Sequence, residues 1–135
     1  MGAGGVSVTG IHHVAVWVAD LERARAFYVD LLGGRAGARY HNERTGFRSY
    51  FVSFGPGARL ELMSRPDVVA ARRGAETEGF AHVALSVGGR DAVDACVAAL
   101  EQAGVPVASR PRQTGDGYYE AVVLDPEGNR VEITE

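Results

Sequence analysis

The sequence predicts an α+β fold made of two βαβββ modules, whose mostly antiparallel strands curl around a cleft. The first observation is a short strand pattern that occurs twice, at residues 13–18 (HVAVWV) and 82–87 (HVALSV). The second is a Glu between two aliphatic residues, which also occurs twice, at residues 60–62 (LEL) and 131–133 (VEI). The separation between the His and the Glu is nearly the same in both copies, which indicates an internal repeat.

The predicted elements follow the same order in both halves of the chain. Residues 1–9 are expected to be a flexible tail, and residues 10–135 a single domain. Its two modules span 11–63 and 80–134, joined by a linker at 64–79 that holds at most one short helix. Each module has a strand, a helix and three strands, because apolar residues recur at helical spacing only once per module. A module of this size buries too little surface to fold alone, so two modules must pair.

Local signals predict where the two helices begin and end. Asp20 is a good N-cap for the first helix, which Gly33 ends, and Asp91 is the expected N-cap of the second, which Gly104 ends. Cys96 falls on the apolar face of the second helix and is therefore expected to be buried.

Composition excludes several classes of protein. The 135 residues carry a formal net charge of −3, with no basic footprint for nucleic acid. We find no apolar run of transmembrane length and no signal-peptide pattern, so neither a membrane partner nor export is expected. The single Cys cannot form an internal disulfide. These bounds predict a cytoplasmic enzyme or binding protein that acts on a small molecule.

Four residues of the repeat have the chemistry of a metal site. The period-2 alternation of strands directs His13, Glu61, His82 and Glu132 into the cleft. Their aliphatic neighbours are expected on the opposite, helix-packed face: Val14, Leu60, Leu62, Val83, Val131 and Ile133. Two imidazoles and two carboxylates suit a divalent ion of borderline hardness, namely Zn, Ni, Co, Fe or Mn. Such a site leaves coordination positions for water or substrate.

Each of these residues also has an ordinary structural interpretation. A His that opens a strand is commonly a hydrogen-bonded rim residue, and a Glu in an LEL pattern is commonly on the exposed face of an antiparallel strand. Trp17, on the face of His13, either lines the pocket or fills the core, while His12 is expected on the other face and outside the site. Six other side chains could reach a substrate but receive no catalytic role: Arg48, Tyr50, Arg59, Arg112, Tyr118 and Tyr119.

Several motifs together resemble a known family. They are the two strands that open with His, the Phe27-Tyr28 pair followed by Leu32-Gly33, the LEL pattern, and the ending DPEGNRVEI at residues 125–133. This set is similar to the vicinal oxygen chelate superfamily. That superfamily includes glyoxalase I, methylmalonyl-CoA epimerase, extradiol dioxygenases, fosfomycin-modifying enzymes and bleomycin-binding proteins. The resemblance covers the chain from about Ile11 onward and implies the paired-module fold.

Within that superfamily, the order His, Glu, His, Glu resembles the Ni-preferring type of glyoxalase I, or lactoylglutathione lyase. The resemblance implies Ni or Zn as the foremost metals, with Co, Mn and Fe as alternatives. It implies that Glu132 is a displaceable ligand that serves as the base, or Glu61 by pseudo-symmetry. Trp17 stands where glyoxalase I typically has the Arg that holds glutathione, and Arg65 where it typically has Asn. These two departures predict a substrate other than the glutathione adduct.

The function expected from the sequence is therefore a metal-dependent lyase or isomerase of glyoxalase I type. Its small substrate would present two adjacent oxygens, and a Glu would move a proton between neighbouring carbons. One alternative is a protein that sequesters an antibiotic or another small molecule without turnover. The other is an epimerase or an extradiol dioxygenase on the same metal frame. The resemblance also implies a homodimer.

Overall fold

The computed structural model describes residues 8–70 and 78–135 and divides the chain into two compact units, Met1–Val69 and Ala70–Glu135. The first unit contains β1 (His13–Trp17), α1 (Leu21–Ala26), a π-helical turn (Phe27–Leu31), β2 (Arg35–Ala36), β3 (Tyr40–Asn42), β4 (Phe47–Ser53) and β5 (Arg59–Ser64). Its sheet has the order β1-β5-β4-β2, and β3 also pairs with β4. β1 and β5 are parallel, whereas the other pairs are antiparallel.

The helix of the first unit begins where its cap predicts. The side chain of Asp20 accepts a hydrogen bond from the backbone N–H of Arg23 at 3.0 Å, which confirms the predicted N-cap. Leu21, Ala24 and Phe27 are buried and repeat at helical spacing, so they form the face of α1 and the following turn that packs against the core.

The second unit repeats this order with one strand fewer after its helix. It contains β6 (His82–Ser86), α2 (Arg90–Gln102), β7 (Val107–Gln113), β8 (Tyr119–Leu124) and β9 (Arg130–Thr134). Its sheet has the order β6-β9-β8-β7, with β6 and β9 parallel and the remaining pairs antiparallel. The buried side chains of α2, Val93, Val97 and Leu100, follow one helical face. Val131 and Ile133 of β9 are fully buried as well.

A tight turn sets the register of β8 and β9. The carboxylate of Asp125 is buried and accepts hydrogen bonds from the backbone N–H groups of Glu127 and Asn129, at 2.9 and 2.8 Å. It also accepts one from Nδ2 of Asn129 at 3.0 Å. This turn holds Leu124 opposite Arg130, and the ladder then places Val122 opposite Glu132.

The predicted α+β fold is confirmed, with one mixed sheet in each unit. The second unit has the predicted βαβββ order, whereas the first unit has one more strand after its helix, because β2 and β3 are separate strands there. The first helix is confirmed through Leu31, and its last residues, Phe27–Leu31, form a π-helical turn. Two local predictions are wrong. Gly89, not Asp91, occupies the N-cap of α2, and Asp91 lies in its first turn. Cys96 is only partly buried, and that burial raises the pKa of its thiol.

The predicted buried faces are correct for β5 and β9 but not for β1, and Val83 of β6 is only partly buried. Leu60, Leu62, Val131 and Ile133 are buried as expected. Val14 is 37% exposed, because β1 lies at the edge of its sheet and is covered less than the central strands. Residues 1–7 of the predicted tail and 71–77 of the predicted linker lie outside the described residues. None of the described helices is long and apolar enough to cross a membrane.

Candidate metal centre

The first unit brings His13 and Glu61 together on one face of its sheet. β1 and β5 pair in a parallel register that sets Ala15 beside Glu61, so His13 is the diagonal neighbour of that Glu. Nε2 of His13 lies 3.5 Å from Oε1 of Glu61. The ring of Phe51, which is opposite Glu61 on β4, meets the His13 ring edge-on at 5.3 Å. The Glu side chain is largely buried, whereas the imidazole is more than one-third exposed.

The second unit repeats this arrangement. β6 and β9 pair in the same parallel register, which sets Ala84 beside Glu132 and makes His82 its diagonal neighbour. Nε2 of His82 lies 3.1 Å from Oε2 of Glu132, and again the Glu is the more buried partner. The two pairs thus use the same imidazole nitrogen, the same register and the same kind of strand.

The chemistry and spacing of each pair fit a divalent metal ion. Two ligands that each lie about 2.0–2.2 Å from one ion, at angles between octahedral and tetrahedral, are roughly 2.8–3.6 Å apart. The distances of 3.5 and 3.1 Å agree with that range. Imidazole and carboxylate donors are also those that Zn and Ni accept. Each unit therefore offers two suitable ligands.

The four predicted ligands appear in the structure as two pairs, one in each unit. Within residues 8–70 and 78–135, no group of three or more His, Cys, Asp or Glu side chains is arranged to hold a metal ion. The convergence of all four residues on one ion, and the catalytic roles of Glu61 and Glu132, therefore stay predictions.

His12 is closer to the candidate site than the sequence suggests. Its Nδ1 lies 2.7 Å from Nδ1 of His13, so one imidazole donates and the other accepts, according to their tautomers. The contact occupies the far nitrogen of His13 and leaves Nε2 facing Glu61. Hydrogen bonds of this kind orient imidazole ligands and fix their tautomer.

Glu120 is a residue of this region that the sequence reasoning missed. It lies on β8 opposite Thr134, two residues beyond Glu132 on β9, and so on the same sheet face as Glu132. Burial and a hydrogen bond to the carboxyl of Glu132 raise the pKa of Glu120; the negative charges of Glu132 and Asp116 add to this, and Arg112 opposes it. Pairing the two strands across the turn at residues 125–128 would have indicated this neighbour.

The other side chains considered in the sequence analysis lie on different faces of their sheets. Trp17 lies on the face of His13 and Glu61, and it is 41% exposed. Tyr50 is on the opposite face, where its hydroxyl donates to both carboxylate oxygens of Glu22. The hydroxyl of Tyr119 is likewise engaged, because it donates to Asp94 of α2 at 2.6 Å. Both hydroxyls therefore bind helix carboxylates.

Arg48 lies on the other face of the sheet, away from Glu61, and it lines a cavity with Asp20 and Glu22. Arg59 is beside His13 on the site face, with its guanidinium 4.3 Å above the Phe51 ring. Arg112 is the residue opposite Glu120 in the β7–β8 ladder. Tyr118 is exposed.

Comparison with known proteins agrees with the fold. Residues 10–133 match the family model of the Glyoxalase/Bleomycin resistance protein/Dioxygenase superfamily. The chain is 30% identical to the mitochondrial methylmalonyl-CoA epimerase of Bos taurus, over 93% of this chain and 72% of that protein. It is 29% identical to the lactoylglutathione lyase of Salmonella typhimurium, over 91% of this chain and 90% of the lyase.

Solved structures show the same fold. The trypanothione-dependent glyoxalase I of Leishmania major superposes with a TM-score of 0.76 at 24% identity, over 95% of this chain and 87% of that chain. The matched range includes both His–Glu pairs and every described strand except the last residue of β9. The chain therefore belongs to the glyoxalase/bleomycin resistance protein/dioxygenase superfamily, the vicinal oxygen chelate superfamily.

Proposed function

We propose that this protein is a divalent-metal-dependent lyase or isomerase of glyoxalase I type, acting on a small substrate with two adjacent oxygens. The observation that carries the proposal is the repeated His–Glu pair, with Nε2–carboxylate distances of 3.5 and 3.1 Å in equivalent registers. If the exposed His of one unit had only a structural role, the other unit would not need a His with the same Glu partner, the same ring nitrogen and the same strand register. The lactoylglutathione lyase relative supports the same reaction class.

The proposed metal ligands are His13, Glu61, His82 and Glu132, and Ni or Zn is the metal expected from the donor set. Bound metal would supply a Lewis acid that polarises a substrate oxygen. The imidazoles contribute neutral donors, and the two carboxylates offset the charge of the ion. His12 orients the His13 ring through their contact at 2.7 Å.

Glu132 is the residue proposed to move the proton, with Glu61 as the alternative. The carboxylates differ in their surroundings, which supports unequal roles. Glu61 lies opposite Phe51, whereas Glu132 has the carboxyl of Glu120 as its neighbour. A base held beside the substrate contributes on the order of 100- to 10,000-fold to the rate.

The decisive experiment compares Glu132→Gln with Glu61→Gln as a matched pair. The metal content of the purified protein and its Zn and Ni affinities are measured first, followed by turnover of a panel of aldehyde–thiol adducts. Glu132→Gln should keep much of the metal affinity and lose about 100- to 10,000-fold in kcat, because an amide still offers an oxygen but no base. His13→Ala and His82→Ala should lose metal and activity together.

Two results would overturn parts of this proposal. Wild-type activity in Glu132→Gln together with loss in Glu61→Gln would transfer the role of base to Glu61. A protein that binds no divalent ion at micromolar concentration would contradict the metal-dependent function and favour a small-molecule binding protein. The glutathione adduct of methylglyoxal is expected to be a weak substrate, since Trp17 offers no cation for a glutathione carboxylate.

A second candidate reaction is epimerisation, favoured by the 30% identity to methylmalonyl-CoA epimerase over 93% of this chain. It also moves a proton next to a carbonyl, and acyl-CoA substrates in the same panel test it. We also propose a cytoplasmic homodimer. β1 and β6, which carry His13 and His82, are edge strands, and pairing with a second copy would cover them.

A further inference from the structure

Besides Phe51, three aromatic side chains lie on the sheet face that carries His13 and Glu61. Trp17 ends β1 beside Met63, two residues beyond Glu61 along β5. Phe47 begins β4 on the same face as Phe51, which is opposite Glu61. Tyr40 on β3 lies opposite Ser49 and so shares that face. We call Trp17, Tyr40 and Phe47 the aromatic patch.

The rings of the aromatic patch contact one another in favourable geometry and leave much of their surface open. Trp17 and Phe47 meet edge-to-face, with centroids 6.1 Å apart and planes at 88°. Tyr40 and Phe47 are tilted at 57°, with centroids 5.9 Å apart. Trp17 is 41% and Tyr40 54% exposed. Exposed aromatic residues that cluster beside polar groups are typical of binding sites.

The neighbouring cation does not make this patch an anion site. The guanidinium of Arg65 stacks on the Trp17 ring at 5.0 Å, and its Nε donates to the carboxylate of Asp67 at 2.5 Å. Its charge is thus already stacked and paired. What the patch presents to a ligand is the faces and edges of aromatic rings, which suit a flat apolar group.

We propose that the aromatic patch is a subsite for an aryl group on the substrate, an inference that rests on the proposed function. Trp17 is beside Met63, which is two residues after Glu61 on β5. The distance along the strand from Glu61 to Met63 is about 6.6 Å. One aromatic ring attached directly to the chelating carbon bridges such a span. The substrate class is then an aryl 2-hydroxycarbonyl compound, whose adjacent oxygens face His13 and Glu61 while its ring packs on Trp17 and Tyr40.

Trp17 allows a direct test, because it is the single Trp of the chain. Its fluorescence is followed in metal-free and Zn-loaded protein during titration with mandelate, lactate and hexahydromandelate. All three are 2-hydroxy acids, and they differ in carrying a phenyl, a methyl or a saturated ring. Mandelate should change the Trp17 emission and bind on the order of 10-fold more tightly than lactate. Hexahydromandelate should fall between them.

Matched variants locate the effect. Tyr40→Ala should remove most of the preference for mandelate over lactate while leaving lactate affinity unchanged. Tyr118→Ala is the control, because Tyr118 is 57% exposed but belongs to the second unit, outside the aromatic patch. Circular dichroism confirms that both variants fold. An equal loss in the two variants would overturn the assignment to this patch.

The outcomes separate this inference from the proposed function. Equal affinities for mandelate and lactate in both forms of the protein would overturn the aryl subsite, even if the metal binds as proposed. A Trp17 emission typical of a buried indole that no ligand changes would overturn it too, since protein would then cover the patch. If the protein binds no Zn and still prefers mandelate, that result would support the subsite and contradict only the metal-dependent function.

Discussion

The contact between Tyr50 and Glu22 should contribute measurably to the stability of the first unit. The hydroxyl of Tyr50 on β4 donates to both oxygens of Glu22 on α1, at 2.9 and 3.0 Å, and so ties the helix to the sheet. Tyr50 is only 9% exposed. A hydrogen bond to a charged acceptor contributes about 1.5–3 kcal/mol. Tyr50→Phe keeps the ring and its packing, and it should lower the free energy of unfolding by that amount at neutral pH.

The same contact predicts a dependence on pH. Burial and the hydrogen bond and negative charge of Glu22 raise the pKa of Tyr50 above its ordinary value of 10.0, while Arg25 and Arg39 oppose this. A raised pKa means that the folded state favours the neutral phenol. The contribution is therefore complete below pH 10 and is lost as the pH rises through the raised pKa. Wild type and Tyr50→Phe should converge in stability above that pH.

Urea unfolding followed by Trp17 fluorescence measures the difference in free energy of unfolding between wild type and Tyr50→Phe, because Trp17 and Tyr50 belong to the same unit. Tyr119→Phe is the control: it removes a tyrosine–carboxylate hydrogen bond that is exposed to water on the second unit. It should leave the Trp17 transition nearly unchanged. A Tyr50→Phe effect below about 0.5 kcal/mol, within the usual range of surface substitutions, would refute the reasoning. A stability difference between wild type and Tyr50→Phe that increases with pH would also refute the reasoning.

Two further predictions concern packing and assembly. Gly34→Ala should destabilise the first unit by about 1–3 kcal/mol in the same urea assay. Its Cβ would lie 2.5 Å from Cγ1 of Val52 and 2.7 Å from the carbonyl oxygen of Tyr28, whereas Gly37→Ala meets open space and should be nearly neutral. Light scattering at micromolar concentration should give the mass of two chains of 14.3 kDa, and a monomer would contradict the proposed homodimer.

The repeat and its alternation were sufficient to predict most of the fold. Strand residues alternate between faces whatever their partners, so the pattern alone placed Trp17 with His13 and predicted buried positions for Leu62 and Ile133. The cap at Asp20 is equally local, since its hydrogen bond spans three residues. Such features follow from the chain over a few residues and do not depend on what the strand pairs with.

The tertiary structure decided which strands are neighbours, and in what register. Alternation predicted Val14 to be buried, but the sheet order places β1 at an edge, where it is covered on fewer sides. The pairing of Glu120 with the region of Glu132 likewise depends on the β8–β9 register. The 3.5 and 3.1 Å contacts of the two His–Glu pairs require parallel strands to align across about 50 residues of chain. Alignment of this kind is set by nonlocal hydrogen bonds and core packing, and a local pattern contains neither.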